Sequence, residues 1–171
     1  MSTKEKSQAA EVVAATVLAG GSMKENAGAY GRYTVVCIGA DGQEKWRDEF
    51  PNLVVNEGLQ FMNDTFFDGT AYTATWYLGL VTGPGSGTTF AAADTMAAHG
   101  GWTEDTTYSN ATRPTATFGA ASLADPSVIA TTATSFSING STTVAGAFLT
   151  TDNTKGGTTG TLFSASDFTG G

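Results

Sequence analysis

Beyond residue 30 this chain groups its apolar residues into short, strand-length runs, and one stretch repeats them at helical spacing. Residues 33–38 read Tyr-Thr-Val-Val-Cys-Ile, and residues 44–50 alternate charge with Trp46 and Phe50. Asp41-Gly42 lies between them, which predicts a tight β-hairpin. Residues 57–67 place Leu59, Met62 and Phe66, and also Phe61 and Thr65, at helical spacings. That pattern predicts an amphipathic helix of about three turns. Asn56 is the expected N-cap, and Asp68-Gly69 the expected stop. Trp76-Tyr77-Leu78-Gly79-Leu80-Val81 is apolar on both faces, as a central strand buried on both sides would be.

Further along, residues 91–99 are expected to form a second short helix closed by Gly100-Gly101. The last third reads as a meander. Strands are expected over 113–118, over 128–138 with Val128, Phe136 and Ile138 on one face, over 141–150 and over 161–168. Asn139-Gly140 is the expected hairpin turn between the second and third of these, and a loop through Asp125-Pro126 joins the first two. No internal repeat of fixed period is present.

Residues 1–30 are set apart as an N-terminal arm. Glu11 to Leu18 could form a short helix, but Val12, Val13 and Val17 weaken it, and Gly20-Gly21 stops it. The arm is poor in large apolar groups, so it is expected either to be disordered or to order on a partner. Glu11 interrupts the apolar region, which argues against a cleaved secretion signal. The expected fold is mostly β: an antiparallel, jelly-roll-like β-sandwich over residues 31–171, with one or two short helices and the extended arm.

Composition sharpens this picture. Charged residues are 14% of the chain, well below the usual roughly 25%. The net charge is −8, and six of the eight basic residues lie in the first 47 positions. After Pro114 only Asp125, Asp152, Lys155 and Asp167 carry charge. An acidic chain without a basic stripe is a poor nucleic-acid binder. No apolar run approaches the roughly 20 residues that a membrane-spanning helix needs. The expected partners are therefore proteins, with neither nucleic acid nor membrane among them.

Candidate chemistry is thin. Cys37 is the single cysteine, so no disulfide can form within the chain, and its apolar run implies a buried structural thiol. His99 is the single histidine and would have to serve any Ser-His-acid triad, yet no Gly-x-Ser-x-Gly elbow exists. Asp94, His99, Glu104 and Asp105 have a loose metal-ligand look without the paired His or Cys that metal sites use, so they are read as a polar loop. The glycine loop 83–87 lacks the Gly-Lys-Ser/Thr ending of a phosphate cradle and is read as a turn. No catalytic, metal or cofactor-binding residue is assigned, no cofactor is expected, and the chain is not expected to be an enzyme. Trp102 and Tyr108 sit in the polar stretch 101–110, so they are the expected surface anchors of an interaction site, with Arg113 beside them.

Several segments resemble, in the same order, a family of tailed-phage virion structural proteins. They are Asn52-Leu-Val-Val-Asn-Glu-Gly-Leu59, Trp76–Val81, and Ala93-Asp-Thr-Met-Ala-Ala-His-Gly-Gly-Trp-Thr-Glu104. Tyr108, Arg113, Ser135-Phe-Ser-Ile-Asn139, Gly146-Ala-Phe-Leu149 and Gly160-Thr-Leu-Phe-Ser-Ala165 continue the series. The resemblance covers roughly residues 50–168 and includes no catalytic signature. It implies a capsid decoration (cement) protein or a tail component on the outer surface of the virion, present in the host cytoplasm during assembly. The major capsid protein and copies of itself are the implied partners, with a trimer as one possible state. The alternatives are a receptor- or carbohydrate-binding module of a tail fibre and a head–tail or tail subunit. Members of such a family tend to end with one further β-strand, whereas this chain ends at Gly171.

Overall fold

The computed structural model describes residues 29–72, 75–83, 88–123 and 128–168. The arm up to residue 28, the glycine loop from residue 84 and the Asp125-Pro126 loop lie outside them. The fold is mostly β. Its elements are β1 (Arg32–Ile38), β2 (Glu44–Pro51), β3 (Leu53–Val54), α1 (Asn56–Phe67), β4 (Trp76–Thr82), β5 (Thr103–Asp105), β6 (Thr115–Ala116), β7 (Val144–Thr150) and β8 (Leu162–Asp167).

β1 and β2 form the expected hairpin. Gly42 takes φ 78° at its tip, a left-handed conformation that glycine enters without cost. The Asp41 carboxylate accepts the Gln43 N–H at 3.1 Å, which fixes the turn from the side. The remaining strands build one antiparallel sheet in the order β3-β8-β7-β4-β5, with β6 also paired to β4. β4 is central, as its two apolar faces predicted. Trp76 packs into one buried cluster and Val81 into another.

The first cluster holds Val55, Val81, Met96, Trp102, Phe148, Leu162 and Ala165, and irregular chain from the β4–β5 connection covers that face. The second holds Trp76, Ala116 and Leu149, with Tyr33, Phe61 and Phe163 packed against it from the hairpin, α1 and β8. Register shifts between Leu149 and Thr150, so Phe163 is an extra residue in β8. Such a bulge re-aims a side chain, and here Phe163 reaches Trp76 with ring centroids 5.4 Å apart. The hairpin is tied down by Tyr33, whose hydroxyl lies 2.7 Å from Ser164 Oγ, and by Phe50, whose ring meets Phe168 at 4.9 Å.

Two glycines set the spacing. A Cβ on Gly79 would enter the Phe148 ring, and a Cβ on Gly58 would strike the Phe163 backbone. α1 therefore approaches β8 along its Gly58 face, and Phe61 reaches the second cluster. Phe66, expected in the core stripe, is left outside.

Several expectations need correction. Val55, in extended conformation and without a side-chain hydrogen bond, occupies the N-cap position, and Asn56 is already helical. The first turn is held instead by Glu57, whose Oε2 accepts the Leu162 N–H at 2.7 Å. At the other end Asp68 and Gly69 (φ 70°) stop the helix as expected.

Residues 91–99 form turns, not a helix. Asp94 spends its carboxylate on the Ala91 N–H and the Trp102 indole, a local bond that competes with helix formation. Residues 128–138 make only isolated bridges, Thr131 to Phe118 and Ile138 to Tyr108. The segment's backbone bonds are split between two partners, Thr132 N–H to Thr117 and Gly119 N–H to Ala130 at one end and Ser109 N–H to Ser137 at the other. Side chains bond between them: Asn110 binds Ser135 and Ser137, and Thr134 binds the Thr115 carbonyl. β7 pairs with β4 and β8, so Asn139-Gly140 does not close a hairpin between the segments flanking it. The strand expected over 113–118 shrinks to β6: Pro114 has no N–H to extend it on one side, and on the other Thr117 and Gly119 bond to Thr132 and Ala130.

Candidate interaction surface

The three residues expected to anchor a partner are buried in the chain itself. Trp102, Tyr108 and Arg113 are 5%, 1% and 1% exposed. Their polar, glycine-rich flanks suggested a surface loop. In the fold that segment turns inward, because the β4–β5 side needs large rings to cover Phe148. Trp102 does so at 5.1 Å between centroids, and its outer side is stacked by His99 at 3.8 Å and Phe90 at 5.9 Å.

Arg113 is the hub of a buried polar network. Its Nε and Nη2 donate to the two oxygens of Glu104 at 3.0 and 2.7 Å. The guanidinium also donates to the carbonyls of Asp152 and Gly157, and it lies 5.2 Å from the centre of the Phe148 ring. Glu104 further accepts the Gly156 N–H at 2.8 Å and the Tyr108 hydroxyl at 3.3 Å. Burial, joined by the charge of Glu104, raises the Tyr108 phenol above its ordinary pKa. Lys155 completes the cluster, donating to the Tyr108 and Asn110 carbonyls at 2.8 Å and lying 4.5 Å from the Tyr108 ring centre. The network staples the 151–161 loop to β5.

The candidate metal-like cluster is dispersed by the same economy. Asp94 serves Ala91 and Trp102. Asp105 accepts from the Thr107 N–H at 2.7 Å and the Thr142 hydroxyl at 2.8 Å. His99 donates from Nδ1 to the Trp102 carbonyl at 3.1 Å. Among the described residues no group of three His, Cys, Asp or Glu side chains is placed to hold a metal. Beside Trp102 opens a cleft of ≈ 360 Å³, lined in part by Met96, His99, Glu104 and Thr158. The carboxylate facing it is already saturated by Arg113 and Gly156. The Cys37 side of β1 is half-buried, and its thiol is free.

On α1, apolar side chains reach solvent. Phe66 and Phe67, at the C-terminal end of α1, are 82% and 76% exposed, and their rings meet edge to face at 5.1 Å. Met62, one turn back from Phe66, is also exposed. Asp64 and Asp68 flank the pair, and the last turn of α1 holds no basic residue. Nothing local in the sequence marks the pair as exposed: adjacent helical residues point about 100° apart, and an apolar stripe of that width can bury both. The surface they form is an apolar prominence with an acidic rim, suited to an apolar pocket edged by cations.

Compared with known proteins, the chain matches no family model, no curated protein and no solved structure.

Proposed function

We propose that this chain is a structural protein of a tailed-phage virion, a capsid decoration (cement) protein that binds the assembled shell and stabilises it. The observation that carries the reading is the division of labour among side chains. Asp94, Glu104, Asp105 and Arg113 are spent on internal bonds, while two phenylalanines stand in water beside Asp64 and Asp68. The order of motifs from Asn52 to Ala165 supports the phage assignment. The β-sandwich reading goes with it, supported by the β1–β2 hairpin lying over β8 through Tyr33 and Phe50.

In this reading the Phe66–Phe67 pair enters an apolar pocket on the major capsid protein, with basic groups facing Asp64 and Asp68. Binding only the assembled shell favours the assembled state by mass action. A carbohydrate-binding role would need exposed rings at Trp102 and Tyr108, and their burial removes that support. The test is co-sedimentation of the full chain with purified shells that lack it. Saturable, stoichiometric binding that Phe66→Ser with Phe67→Ser abolishes is the expected result. No binding to shells would refute the assignment.

A further inference from the structure

The β1–β2 hairpin has two free edges among the described residues, because each strand pairs only with the other. They are protected very differently. β2 carries Glu44, Lys45, Arg47, Asp48 and Glu49, and charges along an edge deter further pairing. β1 carries a single charge, Arg32, already engaged with Glu49 at 3.1 Å, followed by Tyr-Thr-Val-Val-Cys-Ile. Ile38 at its end is 56% exposed.

Hydrogen-bond phase shows which groups this edge offers. Asn52 N–H donates to the Gly31 carbonyl, and the register then pairs Tyr33 with Phe50, Val35 with Asp48 and Cys37 with Trp46. In an antiparallel ladder bonded and non-bonded pairs alternate. The odd residues of β1 therefore bond to β2, while Arg32, Thr34 and Val36 turn their N–H and C=O groups away from it. Pro51, opposite Arg32, fits this phase because it has no N–H to give.

We infer that β1 pairs with β1 of a second copy of this chain, antiparallel across a two-fold axis at Val35, joining two hairpins into one four-stranded ribbon. Self-pairing suits the chemistry of the edge. The register that overlaps all of β1 sets Thr34 against Val36 of the other copy, both with outward backbone groups. It sets Arg32 against Ile38, so no charge faces a like charge, and the arginine stem covers the exposed isoleucine. Val35 meets Val35 in a non-bonded pair, where the Cα atoms lie about 4.5 Å apart. The pairing concerns this chain and its copy alone and does not depend on the capsid reading.

The experiment is sedimentation of the full chain over a range of concentration and salt, with three variants. A dimer is expected, and it should tighten as salt rises, because each copy carries a net charge of −8. Val36→Pro removes only an outward N–H, so it should give a monomer with unchanged circular dichroism; Thr34→Lys, which places a charge on the edge, should do the same. In a Cys37→Ser background, Val35→Cys should form an intermolecular disulfide on oxidation, whereas Thr34→Cys should not. A monomeric wild-type chain would overturn the inference. So would a dimer that survives both edge variants or fails to cross-link at position 35.

Discussion

Arg113 and Glu104 meet as a two-pronged ion pair inside the protein, Nε to Oε1 at 3.0 Å and Nη2 to Oε2 at 2.7 Å, with side chains 0% and 7% exposed. A charge buried so deeply is tolerated only with its partner in place. Around this pair the chain gathers Tyr108, Gly156, Gly157 and Asp152, and so fixes a long loop without regular structure.

Breaking the pair from one side should therefore be costly. Arg113→Met or Glu104→Gln is expected to destabilise the fold by about 3–5 kcal/mol, the usual loss when one buried charge is left alone. The double variant should cost less than the sum of the two, since the residues are directly coupled. Urea unfolding of the four proteins measures this. Strictly additive losses would mean that the pair does not act as a unit.

The glycines against β7 and β8 give a second expectation. Gly58→Ala would improve helix propensity by about 1 kcal/mol in open solvent. Here the new methyl meets the Phe163 backbone, which cannot swing aside as a side chain would. Overpacking typically costs about 1–3 kcal/mol, so the net effect should be loss of stability. Gly79→Ala should also destabilise, and Phe148→Leu should partly rescue it, because the obstacle there is a side-chain ring. Thermal unfolding of the variants is the check.

How much of this was legible beforehand follows from the range of each interaction. Asp41-Gly42, the 57–67 helix and the two-faced β4 run were readable because neighbours a few residues apart determine them. The segment 128–138 reads as a strand because it alternates, yet alternation says nothing about whether one continuous partner lies beside it. Its backbone bonds go to residues 117–122 at one end and to Ser109 at the other, and Asn110, 25 residues away from Ser135, bonds between them. Trp102, Tyr108 and Arg113 were placed outside for the same reason. Their polar flanks are local, whereas the contacts that bury them come from Phe148 and the 152–157 loop. Phe66 was assigned to the core by periodicity, which locates an apolar stripe but not which side of it Gly58 brings against β8.

Stability should fall at both ends of the pH scale. Burial works against the Asp152 carboxylate, but hydrogen bonds from Thr154 and Thr159, with the charge of Arg113, outweigh it and lower its pKa. A lowered folded-state pKa stabilises above the unfolded value of about 4, and the gain is lost as pH falls through the folded value. Tyr33 and Tyr108 are raised chiefly by burial. Their contribution is complete below the unfolded phenol value of about 10 and is lost as pH rises beyond it. Melting temperature against pH should thus show a neutral plateau, and Tyr33→Phe with Tyr108→Phe should flatten its alkaline limb. An unchanged alkaline limb in that double variant would contradict the assignment.

The most direct measurement of the central claim is the rupture temperature of purified shells lacking this protein, before and after it is added back. Full-length protein should raise that temperature as binding saturates. Phe66→Ser with Phe67→Ser should fold normally, since exposed substitutions shift stability within about 0.5 kcal/mol, yet leave the shells at their bare rupture temperature. Shells that gain no heat resistance from the unaltered protein would contradict the cement role. Equal protection by the double variant would move the contact away from α1.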